Sequence, residues 1–236
     1  MLGHDCLLVA GDDAMTFLQA QLTQDLELVE TGGPPLLAAW CNPKGRTIVL
    51  FRMRRLDGTW RLALPAAMTP AVKKRLEMFR FRSRVSIDAD AATAEDLGVA
   101  DEPAEAEWRA RLIAEGVATI EAEQSERFTP HMLNLDLVGA VNFDKGCYPG
   151  QEVVARTHYR GATKRRLRRF GTAADLGPGD KLQAGGRDAG EVVNVAGREL
   201  LAVVPLDGED FSFGGEAVEP LPLPYALVAD QDLSQA

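Results

Sequence analysis

Cys147 stands within DKGCYPGQEVVART, residues 144–157, two residues after Lys145 and beside a Pro149-Gly150 turn signal. Gln151, Glu152 and Arg156 follow within one or two helical turns. A thiol in such company can be reactive. Lys145 and Arg156 place positive charge near it, and a helix opening after the turn would add its N-terminus. Both favour thiolate over thiol, and Glu152 opposes them if it is close. The other reading is a small buried hydrophobe in a tight loop. The residue types alone permit both.

Other chemistry is sparse. Cys6, Cys41 and Cys147 with His4, His131 and His158 show neither CxxC nor HxxxH spacing, so no bound metal is expected. Cys147 and His158 lie eleven residues apart with no cysteine-protease signature around them. No GxGxxG or GxxxxGK[ST] phosphate loop occurs. Glu152 suits ligand recognition instead, because a carboxylate on a pocket wall accepts two parallel hydrogen bonds from an amidine-like edge, such as that of a pterin. Trp108 offers a flat apolar face for a heteroaromatic ring, or ordinary core packing.

The elements that must position these residues come from a chain of 236 residues, 46% hydrophobic and 26% charged. That length buries a real core in one large domain or two modest ones. Three widely spaced cysteines argue against a disulfide framework, and a reducing cytoplasm is the simplest setting. No apolar run approaches a bilayer span, and MLGHDCLLVA lacks the basic start of a signal peptide. The net charge of −9 is unevenly spread. Residues 44–84 hold 12 Lys/Arg against Asp57 and Glu77, and residues 144–169 hold 8 against Asp144 and Glu152. The remainder of the chain stands at −25. Two basic segments on an acidic protein suit an anionic ligand if they meet in space, and are solvated faces if they do not.

CLLVA reads as a strand, and GDDAMTFLQAQLTQDL as a helix capped by Asp12 or Asp13 with Met15, Leu18 and Leu22 buried. GRTIVLFRMRR and TWRLALP read as a hairpin turning at Asp57-Gly58. TPAVKKRLEMFRF predicts a helix with Thr69 as N-cap, Pro70 next, and Val72, Leu76 and Phe79 on its apolar face. RVSID returns as a strand, and the acidic residues 88–107 read as a surface excursion. Ala104, Trp108 and Leu112 line one face of a further helix stopped by Gly116. From about residue 162, short strands between Gly- and Pro-containing turns predict a small β-barrel. The expected division is therefore 1–161 and 162–236.

KGCYPGQEVVAR, residues 145–156, resembles the K-G-C-Y-x-G-Q-E signature of YgfZ-type folate-binding proteins, relatives of the glycine-cleavage T-protein and of mitochondrial iron–sulfur assembly factors. DAMTFLQAQLTQDL, AAWCNPKGRTIVLFRM, LNLD and YRGATKRRL fit the same family, so the resemblance runs from about residue 8 to 205. It implies an α+β fold: a T-protein-like folate-binding module of two subdomains, with a C-terminal β-barrel, around a central channel.

The resemblance also implies function. Tetrahydrofolate or a derivative would occupy the channel, with Trp108, Asn142, Tyr148, Gln151, Glu152 and Arg156 as its binding residues. Lys44 and Arg46 would attract the folate's glutamate tail, and Cys147, tuned by Lys145, would be the functional thiol. An aromatic near the N-terminus of some relatives falls at His4 here. The expected role is a cytoplasmic factor supporting iron–sulfur client proteins, including enzymes that modify tRNA, with no established reaction. An aminomethyltransferase of the T-protein type is the rival. However, Arg46 replaces a family glycine, and Val49 and Leu50 stand near the place of the essential aspartates, which removes the general base. A tRNA-binding protein is the third reading, although few aromatics interleave the basic segments.

Overall fold

The computed structural model describes residues 3–161 and 163–227, so Ala162 and residues 228–236 of the expected barrel lie outside the described residues. Strands β1 (His4–Ala10), β2 (Leu36–Cys41), β3 (Thr47–Leu56), β4 (Thr59–Pro65) and β5 (Ser86–Ala91) form an antiparallel sheet ordered β2-β3-β4-β1-β5. The β3–β4 turn falls at Asp57-Gly58, with φ of 48° and 79°. Both angles are positive, as a two-residue type I′ hairpin requires.

Alternation along these strands sorts the side chains into two layers. Val49, Phe51 and Met53 of β3 and Trp60, Leu62 and Leu64 of β4 share a core with α1 (Ala14–Gln19) and α2 (Thr69–Arg80). Leu50 and Ala63 face the opposite way, toward Trp108 and Leu112 of α3 (Glu105–Glu115). Helix α3 ends at Gly116 in the left-handed conformation (φ 67°), as expected.

Seven further strands, β6 (Arg165–Gly171), β7 (Lys181–Ala184), β8 (Arg187–Ala196), β9 (Glu199–Pro205), β10 (Ser212–Phe213), β11 (Glu216–Ala217) and β12 (Glu219–Leu221), build the second sheet. It curls into a nearly closed barrel, so the architecture is the α+β one expected. Leu200, Ala202 and Val204 fill its interior with Phe170 and Phe211. Leu201 and Val203 point outward into a core shared with Ile113, Leu133, Leu135 and Val154 of α4 (Gln151–Arg160). A buried ion pair reinforces that junction: Arg166 of β6 donates to both carboxylate oxygens of Asp136, at 2.9 and 3.0 Å.

Four expectations are corrected. Helix α1 stops at Gln19, because the residues after it are bound elsewhere: Leu22 bridges to Trp40 and the Thr23 hydroxyl donates to the Ala140 carbonyl. The N-cap of α2 is Met68, with Thr69 inside the helix. Phe79 leaves the apolar face of α2 and is half-exposed. Residues 88–107 are not wholly a surface excursion: buried Asp96 accepts two hydrogen bonds from Arg61, each 2.7 Å, and Leu97 enters the core. Among the described residues, no helix is long and apolar enough to cross a membrane.

Candidate functional site

The structure divides the expected site residues between two places. The first is a cavity of about 300 Å³ where the start of β1, the end of β4, one face of α3 and strand β8 meet. Trp108 lines it and also lines an inner cavity of about 30 Å³ behind. The indole is 1% exposed, yet among the described residues its Nε1 has no hydrogen-bond partner. His4 meets its edge at 6.3 Å, and the Arg52 guanidinium lies 4.8 Å over its face. An unsatisfied N–H in a buried position costs free energy unless something supplies an acceptor.

The other walls come from residues that no sequence motif marks. Asn194 reaches the cavity because β8 carries a bulge between Val192 and Asn194, which re-aims the side chain. There it exchanges hydrogen bonds of 2.9 Å with both backbone groups of Thr119. Glu105 and Glu121 supply carboxylates at the wall. Arg109 pairs closely with Glu105 at 2.9 Å and only distantly with Glu121 at 3.9 Å. Leu50, which the resemblance sets near the aspartates of transferring T-proteins, lines the inner cavity with an aliphatic side chain.

The second place is the signature loop itself. Its foundation is a contact between two glycines. A Cβ on Gly150 would lie 2.4 Å from the Asn42 carbonyl oxygen and 2.8 Å from Gly45 Cα, so neither position tolerates a side chain there. This is where the two basic segments meet. Asn42 shapes the opposing turn, its Oδ1 accepting from the Lys44 and Arg46 amides at 2.9 and 3.0 Å. Its Nδ2 donates to Glu126, which Arg75 also binds, and Arg75 first and Asn42 second hold that carboxyl below its usual range. The C-N-P-K-G-R segment is thus a turn held by its own asparagine. Arg46, expected to attract a folate tail, donates to the Arg127 carbonyl at 2.6 Å.

On this base Cys147 is exposed, and among the described residues no hydrogen bond or ion pair engages it. Cys6 and Cys41 are buried, and burial pushes both thiols up to about 12. Glu152 and Arg156 are exposed on α4, and Gln151 begins it. Asn142 orders the loop by accepting from the Asp144 amide at 2.8 Å. Tyr148 is buried, and burial raises its phenol. None of these residues lines the Trp108 cavity. Lys145 is buried, and its Nζ donates to the Gln19 and Leu22 carbonyls, 2.6 Å each, latching the loop to the end of α1.

Burial lowers the Lys145 ammonium from 10.5 to about 8, with Asp25 opposing. The folded chain therefore releases this proton near pH 8, while the unfolded chain keeps it to about 10.5. Between those values the unfolded state binds more protons, so stability should rise with pH. A neutral amine still carries two N–H donors for its two carbonyls. Urea unfolding of wild type and Lys145→Met across that window should show the wild type gaining on the variant as pH rises. Parallel pH profiles would contradict the latch.

A third convergence is not visible in the spacing of residues. His131, Asp136 and His158 bring ligand atoms within 4.8 Å of one another, but Arg166 already binds both Asp136 oxygens. Phe143 stacks on His158 at 3.6 Å between ring centres.

No protein-family model matches the chain. Individual proteins do. One named tRNA-modifying protein YgfZ, from Vibrio atlanticus, is 26% identical, the match covering 94% of this chain and 90% of that protein. The chain is similar in sequence to proteins named YgfZ. A second YgfZ, from Klebsiella pneumoniae, is 28% identical over 67% of this chain and 66% of its own length. Among solved structures, a glycine cleavage system aminomethyltransferase T from Bartonella henselae superposes with a TM-score of 0.70. It covers 94% of this chain and 84% of its own at 16% identity, a likeness of fold. The resemblance read from the K-G-C-Y-x-G-Q-E segment therefore extends, in YgfZ relatives, across nearly the whole chain.

Proposed function

We propose that this chain binds a reduced folate in the Trp108 cavity and, without transferring an aminomethyl group, supports iron–sulfur proteins involved in tRNA modification, with Cys147 as its functional thiol. The observation that carries the reading is the cavity: about 300 Å³, walled by a buried indole with an unpaired Nε1 and by carboxylates. That is the size and chemistry of a small-ligand site. The T-protein fold and the name that the YgfZ relatives carry support it. We assign the paired N–H groups of a pterin edge to Glu121, which lines the cavity, rather than to exposed Glu152. The aliphatic Leu50 speaks against the transferase rival, since no general base stands there.

Titration with tetrahydrofolate, followed through tryptophan fluorescence, should show saturable quenching in wild type and at least about tenfold weaker binding in Glu121→Gln, the loss expected for a charge-assisted pair. Equal affinities would remove Glu121 from the site, and no saturation at all would remove folate. Cys147→Ser should fold normally, its side chain being exposed, yet fail to restore iron–sulfur enzyme activity in a deletion strain. Full rescue would make the thiol incidental. Purified protein should form no methylenetetrahydrofolate from an aminomethyl-loaded lipoyl carrier.

A further inference from the structure

The C-terminal end of α2 exposes three large apolar side chains within four residues: Met78 is 75%, Phe79 48% and Phe81 86% exposed. Val72 and Leu76 of the same helix serve the core. Arg80 and Arg82 alternate with the two phenylalanines, and exposed Lys74 lies just before them on the helix. Phe79 touches Trp40 edge-on at 6.0 Å. Phe81 adopts φ 39° and ψ −97°, a conformation that strains a bulky L-residue. The result of that strain is a ring held in water with the Arg82 guanidinium 5.4 Å above it. Exposed apolar surface of this kind marks a place where another molecule sits.

We infer that this corner binds single-stranded RNA, with bases stacking on Phe81 and Phe79 and phosphates meeting Arg82 and Lys74, while Arg80 fixes the turn by donating to the Val85 carbonyl at 3.1 Å. Two observations select that occupant. Ring and cation alternate along the chain, as base and phosphate alternate along a single strand. The corner also lies in residues 44–84, whose excess of basic residues stands out on a protein of net charge −9. Such a local excess attracts a polyanion. A flat anionic membrane fits less well, because exposed Glu77 and Asp12 border the corner, Asp12 through its pairing with Arg84. A strand can pass between those carboxylates and a lipid plane meets them. This inference does not depend on folate binding.

Anisotropy titration of a labelled 12-nucleotide single-stranded RNA tests it, with urea unfolding run in parallel. Phe81→Gly should weaken binding about 5- to 100-fold through lost stacking. The same substitution should raise the urea midpoint, because glycine accepts the positive φ without strain. Arg82→Gln should reduce the slope of log affinity against log salt by about 0.7, one phosphate contact on a single strand. Unchanged RNA affinity in Phe81→Gly would overturn the assignment. So would wild-type protein that binds phosphatidylserine vesicles but not the RNA.

Discussion

Trp108→Ala should lose tetrahydrofolate binding by at least about tenfold and about 3–5 kcal/mol of stability, the usual cost of truncating a buried tryptophan. The two losses have separate causes. The indole is buried between an outer cavity of about 300 Å³ and an inner one of about 30 Å³, so its removal merges them. Arg52 then loses the ring beneath its guanidinium and keeps its ion pair with Glu115 at 3.5 Å. Trp108→Phe separates packing from chemistry. It keeps an aromatic wall and should cost no more than about 1.5 kcal/mol, as shape-conserving core swaps do. It also removes the unpaired Nε1, and with it a hydrogen bond to ligand worth about 0.5–1.5 kcal/mol, or roughly two- to tenfold in affinity. Urea melts and folate titrations of the three proteins decide the matter. If Trp108→Ala binds folate as wild type does, the indole is only core.

Gly150→Ala should be the most damaging single-methyl change in the signature, costing about 2–4 kcal/mol. Gly150 has φ 81°, where any Cβ is strained, and the added carbon would meet the Asn42 oxygen at 2.4 Å and the Gly45 nitrogen at 2.8 Å. Those are backbone atoms, held by Asn42 and by the Gly45 amide hydrogen bond to the Asn42 carbonyl. They cannot step aside as a flexible side chain would. Gly146→Ala is the control, one residue before Cys147, with nothing within 4 Å of its added carbon. It should stay within about 0.5 kcal/mol of wild type, as surface substitutions do. Similar urea midpoints for the two variants would show that the glycine contact does not hold the loop.

Local chemistry makes much of this fold legible. Asp57-Gly58 demands a two-residue hairpin turn wherever it sits between alternating strands. Gly116 ends a helix because no other residue takes the left-handed position as easily. The apolar strand β2 is harder to read: LLAAWC is largely buried on both faces, so it carries no alternation and is legible only as part of a family segment. Helix α1 misleads for the opposite reason. Its pattern continues past Gln19, but the carbonyls of Gln19 and Leu22 are claimed by Lys145 from far along the chain.

Element types, the family resemblance and the identity of the reactive candidates all follow from the amino-acid sequence, because periodicity, turn residues and a dense short signature are local properties. Tertiary packing alone separates Trp108 from Cys147 and turns Lys145 into a latch. It also brings Asn194 and Glu121 to the cavity and leaves Phe79 and Phe81 in solvent. Each of those outcomes depends on which distant segment packs against the residue, and a one-dimensional pattern does not carry that information.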